Sequence, residues 1–308
     1  MLKQHTQIEW NDELEENLRR LVQAAAREDL QSGQDWTTVS LVPPTATAKA
    51  AAVSRERGVI AVIQAGAVVL DEMDCDAEWD AKVTDGTLVE PGTTIAEISG
   101  NARDLLTAER TILNMLGQLS GIATLAHRFV EASGRTDIQI CETRKTTAGW
   151  RHLEKYAVRC GGGHNHRTGL YDAILIKDNH LAFFREEFDT GTSTPSAAVT
   201  RAREFLASLP DSAADKDMII EIEVDSLEQL VEVLSTKPDI VLLDNMPPEM
   251  LRQAIAIRDE AKVPTLLEAS GGVNLETVSA IAATGVERVS VGALTHSARC
   301  LDIGLDWH

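Results

Sequence analysis

The hydrophobic and polar positions of the chain change their rhythm near residue 137. Beyond that point, short apolar runs alternate with longer segments whose apolar residues recur at helical spacing. Near-continuous apolar strands separated by amphipathic helices predict a parallel sheet with helices packed outside it. The predicted strands occupy 137–142, 172–177, 218–224, 239–244, 264–269 and 287–291, and the predicted helices occupy 151–160, 195–208, 226–235, 248–261 and 275–284.

The earlier part of the chain follows a different pattern. Apolar residues at helical spacing predict a helix over 12–30 and a long helical tract, of one or two helices, over 103–133. Between them, residues 48–100 are rich in strand-forming residues and are broken by Asp-Gly and Pro-Gly turns. This part therefore predicts an α+β module, and its pattern carries no obvious catalytic chemistry.

The change of rhythm divides the chain into two predicted domains. We predict an N-terminal α/β domain at 1–125 and an α/β barrel domain at 126–294. The C-terminal tail 295–308 leaves the strand–helix alternation, and we expect it to return to the first domain. Residues 183–217 are predicted to be an elaboration on the surface of the barrel.

Polar side chains or glycines stand at the end of each predicted strand of the second part. An α/β barrel gathers the carboxyl ends of its strands at one mouth, where the active sites of that fold lie, so the pattern favours a barrel over an open sheet. Only six strands are clear, which predicts an incomplete barrel or one further strand. The strand-end groups are Arg144, Lys145, Lys177, Glu223, Asp244, Ser270, Gly271, Gly272 and Gly292.

Charge is distributed unevenly along the chain. The formal net charge is −19 and the pI is about 4.8, yet residues 144–177 contain seven lysines and arginines against two carboxylates, a local balance of 7 − 2 = +5. A basic island in an acidic protein predicts a concave site for a small, highly charged anion. The acidic remainder argues against nucleic-acid and anionic-membrane partners, since those call for a broad basic face.

Part of the basic island has an ordinary structural interpretation. Arg151, Lys155 and Arg159 fall within an amphipathic helical pattern, so we interpret them mainly as surface residues. The glycine run 161–163 and the polar residues after it fit neither helix nor strand. Glycines there would let the backbone approach a ligand closely.

The strand-end carboxylates and glycines suggest further chemistry. Glu223 and Asp244 could hold Mg²⁺ or sugar hydroxyls, because hard cations favour oxygen ligands, although structural hydrogen bonding is the alternative for each. Glu221 and Glu268 leave the carboxylate assignment open. The Ser270–Gly272 sequence before a predicted helix, together with Gly292, is typical of a phosphate site. Lys177 as a Schiff-base lysine stays a further alternative.

Other features bound the class of protein. The four cysteines lack CxxC spacing, which predicts reduced thiols rather than a disulfide or zinc framework. The N-terminus has no apolar signal-peptide core, and no run approaches the length of a membrane span, so we expect a cytoplasmic protein without membrane contact.

Eight segments in order resemble the quinolinate phosphoribosyltransferase family, whose members are also called nicotinate-nucleotide pyrophosphorylases (carboxylating). The segments are REDL…DWTT (27–38), ERTILNMLGQLSGIAT (109–124), TRKTTAGWRHLEKYAV (143–158), GGGHNHRTGLYDAILIKDNH (161–180), EIEVDSLEQL (221–230), LLDNM (242–246), LEASGGV (267–273) and VSVGALTHS (289–297). The resemblance implies an open, sandwich-like N-terminal α/β domain plus an incomplete, six- or seven-stranded α/β barrel.

The resemblance also implies a reaction, its partners and the residues that serve it. Quinolinate and phosphoribosyl pyrophosphate would give nicotinate mononucleotide, pyrophosphate and CO₂, with Mg²⁺ as cofactor, in NAD biosynthesis. It implies a homodimer, or a higher oligomer, in which Arg110 is donated across the interface. Catalytic roles fall on Lys145, Glu223 and Asp244, the last two also as metal ligands, and substrate contacts add Arg110, Arg144, His166, Arg167, Lys177, Ser270, Gly271, Gly272 and Gly292.

Two other functions stay open at the level of sequence. A related pyrophosphorylase-like branch found with molybdenum transport shares the fold, and its substrate would differ. The paired Arg144 and Arg167, with His166 and Lys177, favour a dicarboxylate over a monocarboxylate such as nicotinate. A non-catalytic metabolite sensor would not need the carboxylates Glu223 and Asp244. Both are present, which favours an enzyme. Departures from the family pattern, such as Glu142 where Asp is common, predict differences in loop shape and kinetics.

Overall fold

The computed structural model describes residues 3–187, 194–210 and 218–308. Its helices are α1 (Asp12–Leu30), α2 (Trp36–Leu41), α3 (Ala65–Glu72), α4 (Ala102–Ser133), α5 (Arg151–Cys160), α6 (Asp178–Glu187), α7 (Pro195–Ser208), α8 (Leu227–Leu234), α9 (Pro248–Ala261), α10 (Val278–Ala282) and α11 (Ala293–His296). Its strands are β1 (Thr47–Ser54), β2 (Gly58–Val59), β3 (Ala77–Ala81), β4 (Leu88–Val89), β5 (Thr94–Asn101), β6 (Gln139–Cys141), β7 (Ala173–Ile176), β8 (Ile219–Val224), β9 (Ile240–Asp244), β10 (Leu266–Ser270), β11 (Arg288–Ser290) and β12 (Ile303–Trp307). No helix in these ranges combines the length and the apolar character that crossing a membrane requires.

The chain forms two compact units. The parallel-sheet unit comprises Met1–Gln7, Phe129–Arg144 and His164–Gly292. The antiparallel-sheet unit comprises Ile8–Arg128, Lys145–Gly163 and Ala293–His308. The predicted division at residues 125 and 126 stays a prediction.

The antiparallel-sheet unit is built on a sheet of order β12-β1-β5-β3, beside a two-stranded pair of β2 and β4. Strand β12 pairs antiparallel with β1, from Ala50 opposite Trp307 to Ser54 opposite Ile303. Helix α4 is one continuous helix, so of the two alternatives left open for 103–133 the single helix is correct. Gly121 in α4 lets the chain pass close by, because an added Cβ there would lie 2.1 Å from the carbonyl oxygen of Arg299.

One prediction for this unit was wrong. The β-rich interpretation of 48–100 misses α3, which is a helix at Ala65–Glu72. Most of its residues are buried, so the segment lacks the polar face that identifies an amphipathic helix in a sequence. Its small residues allow close packing, and a Cβ at Gly66 would lie 2.3 Å from the ring of Trp79 in β3.

The parallel-sheet unit confirms the strand–helix alternation. Among the described residues, six parallel strands form one sheet in the order β6-β11-β10-β9-β8-β7, with β6 and β7 at its two ends. An isolated parallel bridge joins Cys141 to His164 and extends the pairing beyond β6. This architecture is an incomplete barrel, as predicted. Helix α6 lies partly within the predicted elaboration 183–217, of which residues 188–193 and 211–217 fall outside the described residues.

The interior of the parallel sheet is layered along its strands. Four buried apolar residues near the amino ends of neighbouring strands form a core cluster, and burial of each large member contributes about 1.5–3 kcal/mol. Further along, β8 and β10 carry the fully buried carboxylates Glu221 and Glu268. The half-buried carboxylates Glu223 and Asp244 lie at the carboxyl ends of β8 and β9. The apolar cluster comprises Ala173, Ile219, Ile240 and Leu266.

Candidate active site

The predicted strand-end residues of the parallel-sheet unit lie along one edge of the sheet. Glu223 is on β8, Asp244 ends β9 and Ser270 ends β10. Lys177 follows β7 directly, and Gly292 comes two residues after β11. Because the six strands run parallel and in register, their carboxyl ends share this edge. The fold therefore brings these five groups to the edge at which ligands bind in such sheets.

Two arginines of this unit interact through their charges. Burial is the main cause that lowers the pKa of Arg167, and the positive charge of Arg144 lowers it further. Arg167 is 8% exposed and its Nη1 donates to the carbonyl of Ala173 at 3.2 Å. The Nε atom of Arg144 is buried and has no hydrogen-bond partner within the described part of the chain. Two guanidinium groups that repel each other, one with a buried donor that lacks a partner among the described residues, could bind an anion.

Lys177 and Glu223 form an ion pair at the same edge. The Nζ atom of Lys177 donates to Oε2 of Glu223, and the side chains are 39% and 16% exposed. The Oδ2 atom of Asp244 accepts from the side chain of Asn245 at 2.7 Å. Carboxylates at adjacent strand ends fit Mg²⁺, which usually takes one or two protein carboxylates and completes its shell with water and substrate oxygens.

The predicted phosphate loop has the close backbone approach that its glycines suggested. Gly271 has φ +96°, and a Cβ there would lie 2.2 Å from Oδ1 of Asn245. The helix that follows, α10, has only five residues. The side chain of Asn274 already accepts from the backbone N–H groups of Glu276 and Thr277, at 2.9 and 3.0 Å. The glycine backbone, rather than the start of α10, is therefore the part of the loop that could bind phosphate.

Lys145 stands on a loop of the antiparallel-sheet unit whose backbone is held firmly. Its carbonyl accepts from Oγ1 of the buried Thr295 at 2.8 Å. The N–H of Thr147 donates to Oε2 of Glu154 at 3.1 Å, and burial raises the pKa of that carboxyl. The side chain of Lys145 is exposed. The loop thus presents an ammonium group on a fixed backbone, as a catalytic lysine requires.

The surface interpretation of α5 was wrong for one residue. Lys155 is fully buried, at 0% exposure, whereas Arg151 and Arg159 are half-buried. Arg159 donates from Nη1 to the carbonyl of Gly163 at 2.9 Å, in the glycine run that follows the helix. A lysine in an amphipathic helical pattern is expected at the surface, because lysine side chains are almost never fully buried. Only the packing around α5 shows otherwise.

Arg110 is exposed on α4 in the antiparallel-sheet unit. It lines a cavity of about 700 Å³. The other lining residues belong to α4, to the loop before α5 and to the segment 300–303. Asn114, Gln118 and Trp150 are among the residues that line the cavity. The arginine is thus in reach of a ligand or a second chain, which its place in a long helix could not reveal.

His166 belongs to a buried ionic cluster rather than to an open surface. It is 5% exposed, and its Nε2 lies 3.2 Å from Oε2 of Glu221 and 3.4 Å from Oε1 of Glu268. Burial alone would lower the pKa of His166, but the two carboxylates raise it to about 10. Its Nδ1 accepts from the backbone N–H of Arg167 at 2.7 Å, a bond that only the neutral ring can make and that protonation of Nδ1 would break. In both forms Nε2 carries the proton that faces the carboxylates.

Arg288 closes this cluster, and sequence reasoning gave it no role. It is 1% exposed, and its Nε donates to Oε2 of Glu268 at 2.6 Å. Burial alone would lower its pKa, but the surrounding negative charges raise it. Charged residues inside otherwise apolar strands are costly unless they are paired, and such a pattern is the signal that could have identified Glu221, Glu268 and Arg288 together.

Comparison with known proteins gives a consistent result. Residues 122–306 match the family described as "Quinolinate phosphoribosyl transferase, C-terminal domain", and residues 35–120 match its N-terminal domain. The chain is 42% identical to the nicotinate-nucleotide pyrophosphorylase [carboxylating] of Mycobacterium leprae, over 94% of this chain and 96% of that protein. It is 39% identical to the probable enzyme of the same name from Bacillus subtilis, over 94% and 93%. The solved nicotinate-nucleotide pyrophosphorylase of Francisella tularensis has a TM-score of 0.86 at 33% identity, over 99% and 100%.

Proposed function

This chain belongs to the quinolinate phosphoribosyltransferase family, and from that premise we propose that it joins quinolinate to phosphoribosyl pyrophosphate. The products are nicotinate mononucleotide, pyrophosphate and CO₂, and the first of these is a precursor of NAD. The protein is thus a pentosyltransferase that also carries out a decarboxylation.

The observation that carries the proposal is the arginine pair of the parallel-sheet unit. Arg144 has a buried donor with no partner among the described residues, and its charge lowers the pKa of Arg167. A bound carboxylate would take up the free donor and relieve the repulsion between the two cations. Lys177, at the same edge, supplies a further cation for the second carboxylate of quinolinate.

The chain's own residues suit both halves of the reaction. The pyridine nitrogen forms a bond to the anomeric carbon as the bond from that carbon to pyrophosphate breaks. Lys145 stabilises the negative charge that builds on the leaving group, while Glu223 and Asp244 favour the cationic sugar. When bound by those carboxylates, Mg²⁺ would add positive charge beside the pyrophosphate oxygens.

Decarboxylation follows from the first step. Loss of CO₂ from the carbon next to the pyridine nitrogen leaves an electron pair on that carbon. The electron pair then forms a bond to a proton from solvent. The positively charged, alkylated nitrogen stabilises this carbanion, so the step needs no further cofactor. The arginine pair contributes by orienting the carboxylates and by excluding water from them.

The reaction predicts a specific set of products. Purified protein given quinolinate, phosphoribosyl pyrophosphate and Mg²⁺ is expected to release pyrophosphate and CO₂ in equal amounts, whereas nicotinate in place of quinolinate is expected to release neither. Coupled pyrophosphate detection and trapping of ¹⁴CO₂ from carboxyl-labelled quinolinate measure both. Tight quinolinate binding without product would favour a sensor, and absence of both binding and product would favour a related enzyme with another substrate.

The proposal includes a homodimer in which Arg110 serves the neighbouring site. Arg110 is exposed beside a cavity of about 700 Å³, and exposed apolar side chains, Trp36 and Leu41 among them, occur in the same unit. An arginine at such a position suits a substrate that is reached from another subunit. Assembly beyond the dimer and a cytoplasmic location stay predictions from the sequence.

Subunit mixing tests the donation of Arg110. Arg110→Ala and Lys145→Ala are each expected to be inactive, and mixed dimers would rebuild one complete site from the intact Lys145 of one subunit and the intact Arg110 of the other. After unfolding and refolding of an equal mixture, about one quarter of the wild-type activity is expected. Activity that stays at the level of the separate variants would contradict donation across the interface.

A further inference from the structure

The segment 3–7 is fixed at the amino ends of the parallel strands, opposite the edge that carries the candidate site. The Nζ atom of Lys3 donates to the carbonyl of Met218, which precedes β8, at 3.2 Å, and lies 3.5 Å from Oδ2 of Asp239, which precedes β9. The side chain of Gln4 accepts from Gln139, the first residue of β6, at 2.7 Å. The segment therefore spans several strand starts and enters the unit from that end.

His5 lies inside the unit as a consequence. It is 4% exposed, and its ring stacks on that of His166 with a centroid separation of 4.6 Å and an interplanar angle of 25°. Its Nε2 lies 3.9 Å from Oε2 of Glu221, the carboxylate that also faces His166. One face of the His166 ring is thus covered by His5, while Nε2 at the ring edge is engaged by two carboxylates.

The same segment also holds the residue before His166. The backbone N–H of Asn165 donates to Oε1 of Gln7 at 2.8 Å, and Nε2 of Gln7 donates back to the carbonyl of Asn165 at 3.3 Å. Glu142 accepts from the Asn165 side chain and from the His166 N–H, each at 3.0 Å. The backbone that leads into Arg167 is therefore held both by Glu142, the residue after β6, and by the N-terminal segment.

Displacement of His166 would reach Arg167. The Nδ1 atom of His166 accepts from the N–H of Arg167, so the ring and the next peptide are joined directly. Arg167 is one of the two arginines whose repulsion marks the anion site. A ring that loses its stacking partner can tilt, and a small misplacement of a substrate-binding group has a large effect on catalysis.

We propose that His5 is a positioning residue for the dicarboxylate site, acting through its stacked ring on His166 and thereby on Arg167. The inference rests on the proposed function, since it names a residue that shapes the quinolinate site of that reaction. Nothing in the N-terminal sequence marks His5, because a lone histidine before the first helix has no pattern.

Steady-state kinetics of His5→Ala test the proposal. The KM for quinolinate is expected to rise about tenfold, the size expected for a lost aromatic stack, while the KM for phosphoribosyl pyrophosphate and kcat stay within about twofold. His5→Phe keeps a flat ring on His166 and is expected to restore the quinolinate KM to within about threefold of wild type. Lys82→Ala removes an exposed lysine outside the segment 3–7, paired with Asp80 and Glu97, and is the control expected to match wild type.

The outcomes separate the inference from the function on which it rests. A wild-type protein that forms no product overturns the proposed function. An active wild type with an unchanged quinolinate KM in His5→Ala, or with equal rises in both KM values, overturns the positioning role. An effect of Lys82→Ala equal to that of His5→Ala does the same. Should His5→Ala not fold, His5→Phe decides alone, because a tenfold rise in its quinolinate KM would contradict stacking and a near-normal value would support it.

Discussion

Replacement of Lys145 by alanine is expected to lower kcat by about 10³-fold while leaving the protein folded, because a preorganised cation that meets charge developing in the transition state is worth this much. The side chain of Lys145 is exposed, so its loss leaves no cavity. The backbone around it stays fixed by Thr295 and Glu154. The effect should therefore fall on turnover rather than on stability.

Two further variants make this result specific. Lys145→Arg keeps the charge but alters its geometry, and it is expected to recover only part of the activity. Lys82→Ala removes an exposed lysine that pairs with Asp80 and Glu97 in the antiparallel-sheet unit, and it is expected to turn over at the wild-type rate. Single-turnover and steady-state kinetics, with thermal unfolding as the check on folding, give the comparison. A Lys145→Ala enzyme with full turnover would remove the centre of the proposed mechanism.

Replacement of Arg288 by methionine is expected to lower the free energy of unfolding by about 3–5 kcal/mol, the cost of removing one partner from a buried ion pair. Arg288 is 1% exposed and donates to Glu268, which is fully buried. Burial alone would raise the pKa of Glu268, but His166 and Arg288 hold it well below its usual range. Without the arginine, the two buried carboxylates Glu221 and Glu268 would face only the Nε2–H group of His166.

Urea-induced unfolding measures this loss, and two variants serve as controls. Adding Glu268→Gln to Arg288→Met removes the uncompensated charge, and the double variant is expected to regain part of the stability. Arg57→Met breaks an exposed pair with Glu90 and is expected to change the stability by less than about 1 kcal/mol. If Arg288→Met unfolds at the same urea concentration as wild type, the cluster does not stabilise the unit.

Prediction from the sequence succeeded where local pattern determines structure. The six strands that carry the candidate site were all predicted, because an apolar run bounded by turn residues specifies a buried strand in nearly any context. The polar groups that follow these strands were predicted to share one edge of the sheet, because parallel strands all have their carboxyl ends on the same side. Helix α3 was missed because its residues are apolar on nearly every side, so that length and pattern could not separate a helix from a strand.

The site could be predicted only in part, and Lys155, Asn274 and His5 show why. A lysine in an amphipathic pattern is normally exposed, but α5 buries Lys155 completely. At the helix start that was predicted to bind phosphate, two backbone N–H groups already donate to the side chain of Asn274. That pairing depends on the geometry of the turn. His5 and His166 are far apart in sequence, and their stacking exists only because the N-terminal segment enters the parallel-sheet unit.

The sequence by itself determined the fold class, the edge of the sheet at which the candidate residues lie and the family to which the chain belongs. Periodicity, residue type and ordered motifs are properties of the chain alone, so these conclusions needed no coordinates. The tertiary structure decided which charges are buried and which partners hold them: Glu221, Glu268 and Arg288 around His166, with His5 against its ring. Burial and pairing depend on contacts between residues distant in sequence, and no local pattern encodes those contacts.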